Sequence, residues 1–187
     1  MCGRYFVDIN ETEIQNIIAS AKHNDNDSAQ TTLFKGGEIF PTNTVPVITA
    51  ADTRFMVWGF PDYTGKRPLI NARSETASVT RTFKESFAQR RCIVPATSYF
   101  EWKTLPDKRA KQKYEFKLTD KSLLYLAGIY SLDGRFAILT RAAVSCLTEI
   151  HDRMPVILPF ELSDIWLNKS PDIMNNALTE LLFAPRA

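Results

Sequence analysis

The hydrophobic and polar positions along the chain predict a few helices around a strand-rich centre. In 11–23 three isoleucines recur at helical spacing, and in 80–91 two phenylalanines share one helical face. Runs rich in β-branched and aromatic residues, separated by turn residues, predict strands. These runs are 44–49, 54–60, 92–96, 98–103, 113–118, 122–132, 135–140 and 156–161. The pattern therefore favours more strand than helix.

Turn and end signals refine this outline. Pro46, inside the first of these runs, predicts a sheet edge or a bulge because proline has no N–H to donate. Asp133-Gly134 is the clearest hairpin turn. The segments 161–169 and 171–183 predict short C-terminal helices. Since no linker, repeat or low-complexity segment divides the chain, we expect one α+β domain with a largely antiparallel sheet or open barrel and peripheral helices.

Composition narrows the class of protein. The 187 residues suit one domain, and the 44% hydrophobic content is enough for a sizeable core. No apolar run is long enough to span a membrane, and the N-terminus lacks the basic and apolar regions of a secretory signal. The three cysteines include no CxxC pair. We therefore expect a protein of a reducing compartment, the cytoplasm.

The charge of the chain and the spacing of possible metal ligands give little information about binding partners. The net charge is +2, but basic residues cluster at 81–91 and 103–113. Such clusters suit phosphate binding, or they form a solvated face. The two histidines, His23 and His151, lie near no cysteine pair, and glycine-rich phosphate loops are absent from the sequence. The sequence therefore predicts no metal and no cofactor.

Cys2 is the first candidate for chemistry. Because cysteine is small, we expect removal of Met1, which leaves a thiol and an α-amine on adjacent carbons of one residue. A 1,2-aminothiol of this kind condenses with aldehydes to a thiazolidine ring. For this chemistry the thiol should face an open groove. The alternative is a cysteine that begins a buried first strand.

Glu101 is a second candidate because it stands between Phe100 and Trp102 on a predicted strand. Strict alternation places it on one face with Tyr99 and Lys103, as an exposed cross-strand charge. If it points into a cleft instead, burial would raise its pKa and make it a general acid near neutral pH. The pattern alone leaves both alternatives open.

Three further polar residues follow apolar or strand-like stretches. His151 has an intrinsic pKa near neutrality, although a histidine beside a strand is more often structural. Asn71 and Arg73 come directly after the apolar triplet at 68–70. An amide and a guanidinium there suit orienting a ligand and holding a phosphate, or forming an Asx turn and a surface ion pair.

Five motifs occur in an order that resembles one known family. They are "MCGRY" at the N-terminus, then "WGF", "PLINARSET", "FEW" and "IHDRMPVIL". Together they resemble the SOS response-associated peptidase (SRAP) domain family from Cys2 to about Trp166. The resemblance implies a single SRAP-like domain over 1–187, with a mainly antiparallel, partly open β-barrel-like core. It also implies a protein that binds single-stranded DNA and reacts covalently with abasic sites.

The resemblance assigns four catalytic residues. Cys2 would be the nucleophile, its α-amine forming a Schiff base with the sugar aldehyde and its thiol closing the thiazolidine. Glu101 would be the general acid–base, and His151 would assist proton transfer near the sugar and its 3′-phosphate. Asn71 would position the N-terminal residue or the sugar. The implied activities are abasic-site crosslinking, a lyase activity and removal of the residue before Cys2 as a thiol autopeptidase.

The resemblance also implies partners and a place in the cell. Arg4, Arg73 and Arg81 would hold the DNA backbone, and Pro41 and Thr140 match positions that line the DNA site. The partner would be single-stranded DNA that contains abasic sites. We expect a monomer in the cytoplasm that associates with the nucleoid when it is bound to DNA.

Two departures from the family pattern concern the DNA groove. The loop at 61–67 is short, where relatives often carry a longer, tryptophan-containing loop, and the C-terminus is expected to lack the usual closing strand. Two other functions stay open on the residues alone. One is an N-terminal-nucleophile cysteine amidohydrolase, and the other is a non-catalytic module that binds single-stranded DNA by stacking and phosphate contacts.

Overall fold

A computed structural model describes residues 2–24, 34–62, 64–106, 110–119 and 123–186. Thirteen strands and three α-helices are found in these ranges. They are β1 (Arg4–Val7), α1 (Thr12–Asn24), β2 (Gly37–Ile39), β3 (Thr44–Thr49), β4 (Thr53–Trp58), β5 (Asn71–Arg73), α2 (Lys84–Gln89), β6 (Arg91–Ala96), β7 (Ser98–Thr104), β8 (Lys111–Lys117), β9 (Leu124–Tyr130), β10 (Arg135–Ala142), β11 (Arg153–Pro155), β12 (Ile157–Leu158), α3 (Ser163–Asn168) and β13 (Leu182–Arg186). Short 3-10 helices lie at Ser145–Glu149, Phe160–Leu162 and Pro171–Asn176.

Five of the strands form a closed barrel. Strand β3 pairs antiparallel with β4 and β6, and β9 pairs antiparallel with β6 and β10. The ring closes because β10 also pairs in parallel with β4. Pro46 lies opposite Phe55 of β4 and before the pairing of β3 with β6 begins at Ile48, so it is paired on one side only. The predicted α+β fold with a barrel-like core is confirmed.

A second, antiparallel sheet continues from the barrel. Its strand order is β13-β8-β7-β1-β2. Only Thr97 separates β6 of the barrel from β7 of the sheet, and its N–H donates to the carbonyl of Phe6 on β1. The two sheets share one core, in which Tyr5 of β1 packs edge-on against Trp58 of β4. The start of the chain is therefore held directly against the barrel.

Several predicted elements are confirmed, and two are wrong. The hairpin at Asp133-Gly134 joins β9 to β10, with Gly134 at positive φ. The second helix is shorter than 80–91, because β6 already begins at Arg91. The segment 171–183 is not helical throughout, since a 3-10 turn is followed by β13.

The closing strand is present, which corrects the expectation that the chain lacks one. Strand β13 pairs with all but the first residues of β8, and Phe183 stacks on Phe116 with ring centroids 5.6 Å apart. Arg186 adds an ion pair of 2.7 Å to Glu115. These contacts come from a distant strand, and they override the local helical pattern. No helix in the described ranges is long and apolar enough to cross a membrane.

Candidate active site

An open cleft of about 430 Å³ lies where β1 begins beside β7. The last registered pair between these strands is Arg4 with Phe100, so Gly3 lies one residue beyond it. The residues that line the cleft are Gly3, Arg4, Glu101, Trp102, Lys111 and His151. The pairing of two strands that are distant in sequence therefore places the chain's third and fourth residues at a cleft with an acid and an imidazole.

The Cys2 side chain is fully buried beside this cleft. Its thiol sulfur lies 3.8 Å from the carbonyl oxygen of Arg4. Burial, reinforced by the negative charge of Glu101, raises the pKa of the thiol far above its usual range. The expectation of a thiol that faces an open groove is therefore wrong for this structure, in which Gly3 lines the cleft and the thiol is a protonated, buried group.

Asn71 holds the backbone of Cys2. It begins β5, which pairs in parallel with β10 and so fixes Asn71 opposite Ile138 at the barrel rim. Its Nδ2 donates to the carbonyl oxygen of Cys2 at 2.8 Å. Its Oδ1 is buried and accepts no hydrogen bond from any described residue. The amide thus orients residue 2 and leaves one acceptor available there.

Glu101 is buried, with only 4% of the residue exposed. Tyr99 on the same face of β7 and Phe100 on the opposite face are also buried, so the exposed-charge alternative is wrong. Burial raises the pKa of Glu101 to about 7, because a charged carboxylate is poorly solvated there. At neutral pH this carboxyl is able both to donate and to accept a proton.

His151 reaches Glu101 from the other wall of the cleft. Its Nε2 lies 4.0 Å from a Glu101 carboxylate oxygen. The imidazole is half-buried, and this burial lowers the pKa of His151 below its ordinary value. The ring is therefore largely neutral at neutral pH, and it lies beside a carboxyl that is partly protonated there.

The family model described as SOS response associated peptidase (SRAP) matches residues 1–187. The chain belongs to the SRAP family.

Curated relatives are consistent with this assignment. The abasic site processing protein YobE of Bacillus subtilis is 37% identical over 121 residues, which cover 59% of this chain and 55% of the relative. The abasic site processing protein YedK of Escherichia coli is 38% identical over 120 residues, which cover 60% of this chain and 53% of the relative. The SRAP chain thus spans about half the length of the curated relatives it matches.

The fold is also shared with a crystal structure of a protein from Bacteroides thetaiotaomicron. The TM-score is 0.79 at 22% identity, and the superposition covers 98% of this SRAP chain and 91% of the other. At this identity the likeness concerns the fold alone.

The five residues predicted to face DNA in this SRAP chain fall into different environments. Arg4 lines the cleft, pairs with Glu38 at 3.0 Å and lies over the ring of Trp102. Pro41 is half-buried in the turn after β2, and Arg73 and Arg81 are exposed on the segment that follows Asn71.

Thr140 is fully buried on β10. Its backbone oxygen accepts a hydrogen bond of 2.5 Å from Arg153. The Thr140 side chain therefore does not reach the surface in this structure, so the predicted contact with DNA is not available there.

Sequence reasoning did not single out three residues at or near the cleft. Trp102 and Lys111 line it, and Arg153 reaches from β11 to the segment after β5. Lys111 was visible only as part of a basic run, and the hairpin register that pairs it with Thr104 decides its place. Among the described residues, no group of three or more His, Cys, Asp or Glu is arranged to hold a metal ion.

Proposed function

We propose that this SRAP protein binds single-stranded DNA and captures abasic sites covalently through Cys2. Membership of the family and the names of its curated relatives support DNA with abasic sites as the substrate. One observation carries the proposal for this chain. The Asn71 amide holds the Cys2 carbonyl at 2.8 Å, beside a cleft that contains Glu101 and His151 within 4.0 Å of each other.

The amine of Cys2 acts before its thiol. Removal of Met1 frees the α-amine, which adds to the aldehyde carbon of the ring-opened sugar, and loss of one water gives an imine. The thiol sulfur then adds to the imine carbon while its proton passes to the nitrogen, which closes the thiazolidine. This order suits a protonated thiol, since a thiol of raised pKa is a weak nucleophile toward a free aldehyde. Closure of the ring then requires the Cys2 side chain to turn from its buried position toward the imine carbon.

Glu101 and His151 move the protons of this sequence. Glu101, with a pKa of about 7, donates a proton as the sugar ring opens and as water leaves, and it accepts one in the reverse direction. His151 supplies a second group on the opposite wall, 4.0 Å away. The unpartnered Oδ1 of Asn71 accepts from the new α-amine or from a sugar hydroxyl.

The same site suits the removal of Met1. The family's description includes a peptidase activity, and the bond between Met1 and Cys2 is the one that such an activity would cut here. Asn71 already donates to the Cys2 carbonyl, next to that bond.

Arg73 and Arg81 hold the DNA backbone, because both are exposed on the segment that leads away from Asn71. The log of the DNA-binding constant falls as the log of the salt concentration rises. We expect Arg73→Gln or Arg81→Gln to make this fall less steep, by about 0.7 in the slope for each lost phosphate contact on a single strand. Fluorescence anisotropy with an intact oligonucleotide at several salt concentrations measures this slope. Arg54→Gln, at an exposed arginine paired with Asp52, is the matched control. Equal slopes in all variants would show that Arg73 and Arg81 do not contact DNA phosphates.

Denaturing electrophoresis of the protein with a labelled abasic oligonucleotide tests the proposed function. The wild type is expected to give a band that survives denaturation, and Cys2→Ala is expected to bind DNA without giving that band. Binding with no such band in the wild type would support a non-catalytic module instead. Hydrolysis of glutamine or another small amide, again with no band, would support an amidohydrolase.

A further inference from the structure

Arg153 joins the two halves of the site through an ion pair with Glu75. Its two terminal nitrogens meet the two carboxylate oxygens of Glu75 at 2.7 and 2.9 Å. The second of these nitrogens also donates to Thr140, at 2.5 Å to the backbone oxygen and 3.3 Å to the hydroxyl. A forked contact of this kind fixes position as well as charge, because the planar guanidinium fits a carboxylate in one orientation.

The same arginine touches His151 through its backbone. The N–H of Arg153 donates to His151 Nδ1 at 3.0 Å. A neutral imidazole that accepts at Nδ1 carries its proton on Nε2, the nitrogen that faces Glu101. Asp152 Oδ1 lies 2.8 Å from the same Nδ1, and that contact is favourable only when the proton is on Nδ1. The Arg153 N–H and the Asp152 carboxylate therefore favour opposite tautomers.

We propose that the Glu75–Arg153 ion pair is a positioning device that keeps the Arg153 N–H on His151 and so holds the His151 proton on Nε2, toward Glu101. The expected effect on adduct formation rests on the proposed function. The position of the His151 proton does not depend on it. Glu75 lies four residues after Asn71 on the segment that leaves β5. One ion pair thus connects the segment that follows Asn71 with β11, which begins two residues after His151.

The charged groups around His151 come from several elements. Glu101 faces it from β7, Lys111 lines the same cleft from β8, and Asp152 is its neighbour in the chain. Glu75→Gln leaves all three in place. Arg153→Lys keeps the backbone N–H and the positive charge and loses the fork and the guanidinium contacts with Thr140. These two variants therefore separate positioning from simple removal of charge at the ring.

Nitrogen-15 NMR of the histidine rings, recorded without DNA, tests the tautomer directly. The chain has only two histidines, so His23→Gln assigns the His151 signals. The wild type is expected to show Nε2–H for His151 at pH 8. Glu75→Gln and Arg153→Lys are each expected to shift it toward Nδ1–H, and Glu75→Asp to retain most of the Nε2–H form. Glu85→Gln, which breaks an exposed ion pair with Arg90, is the matched control.

Adduct kinetics then test the consequence. We expect Glu75→Gln to slow adduct formation at neutral pH by about tenfold and to change its pH profile, because a misplaced proton removes part of the acid–base contribution. Glu75→Asp is expected to restore most of the rate. An unchanged His151 tautomer in both Glu75→Gln and Arg153→Lys would overturn the positioning role. Absence of any wild-type adduct would overturn the proposed function and would leave the tautomer result standing.

Discussion

Glu101→Gln is expected to stabilise the protein at pH 8 while it slows the capture of abasic sites. The carboxyl of Glu101 is buried, and burial raises its pKa from 4.5 to about 7. Since one pKa unit corresponds to 1.36 kcal/mol, keeping the ionised form in the folded protein costs about 3 kcal/mol. Glutamine has the same shape and no charge, so the variant should gain about 2–3 kcal/mol in the free energy of unfolding at pH 8.

The size of this effect depends on pH. Between pH 4.5 and 7 the folded protein retains a proton on Glu101 that the unfolded chain has released, so the stability of the wild type falls as pH rises through this window. Below pH 4.5 both states are protonated, and the difference between wild type and variant should nearly vanish. A gain in stability that grows between pH 4.5 and 7 and levels off above pH 7 therefore identifies Glu101 as its source.

Urea denaturation at pH 4.5 and pH 8 measures this effect. Glu115→Gln is the matched control, because Glu115 faces Phe100 across the same sheet and pairs with Arg186 and Ser98. That variant loses attractive contacts and is expected to be less stable at pH 8. If Glu101→Gln were also less stable there, Glu101 would be a structural anion and the proposed acid–base role would fail. The same variant should form adduct about a hundredfold more slowly and still bind intact DNA.

Asn71→Ala is expected to slow adduct formation by about a hundredfold with little change in stability. The lost hydrogen bond to the Cys2 carbonyl, 2.8 Å long, contributes about 1 kcal/mol, but the substitution also removes a buried Oδ1 that has no described partner. These two effects oppose each other. Capture depends on the position of the Cys2 amine, and a small misplacement of a reacting group costs about a hundredfold in rate.

Asn24→Ala provides the comparison for this variant. Its amide also donates to a backbone carbonyl, that of Thr53, at 3.0 Å, but it lies at the end of α1. Single-turnover rates with an abasic oligonucleotide, together with thermal unfolding, separate the two effects. If Asn71→Ala forms adduct at the same rate as Asn24→Ala, the hydrogen bond from Asn71 to the Cys2 carbonyl does not contribute to capture.

Local sequence patterns predicted an element correctly where the contacts with other strands favour the same secondary structure as the local sequence. The run 44–49 coincides with β3, and Asp133-Gly134 forms the expected hairpin. The C-terminal strand was missed because Leu181, Leu182 and Phe183 fit a helix as well as a strand. Pairing with β8 and stacking on Phe116 decide between the two, and neither contact is visible from local sequence.

The site depends even more on contacts between distant segments. Asn71 lies 69 residues from Cys2, and the Glu75–Arg153 ion pair spans 78 residues. The sequence pattern indicated Asn71, Glu101 and His151 as candidates. Only closure of the barrel and the pairing of β1 with β7 bring them together. The burial of the Cys2 thiol was likewise outside the reach of the pattern, because it depends on how β1 packs against the barrel.

Intact-mass spectrometry of the purified protein, alone and after mixing with an abasic single-stranded oligonucleotide, tests the central claim most directly. We predict a protein that lacks Met1 and gains the mass of the oligonucleotide minus one water, with no such gain in Cys2→Ala. A protein that retains Met1 and still forms the adduct, or one that lacks Met1 and forms none, would contradict capture by the amine and thiol of Cys2.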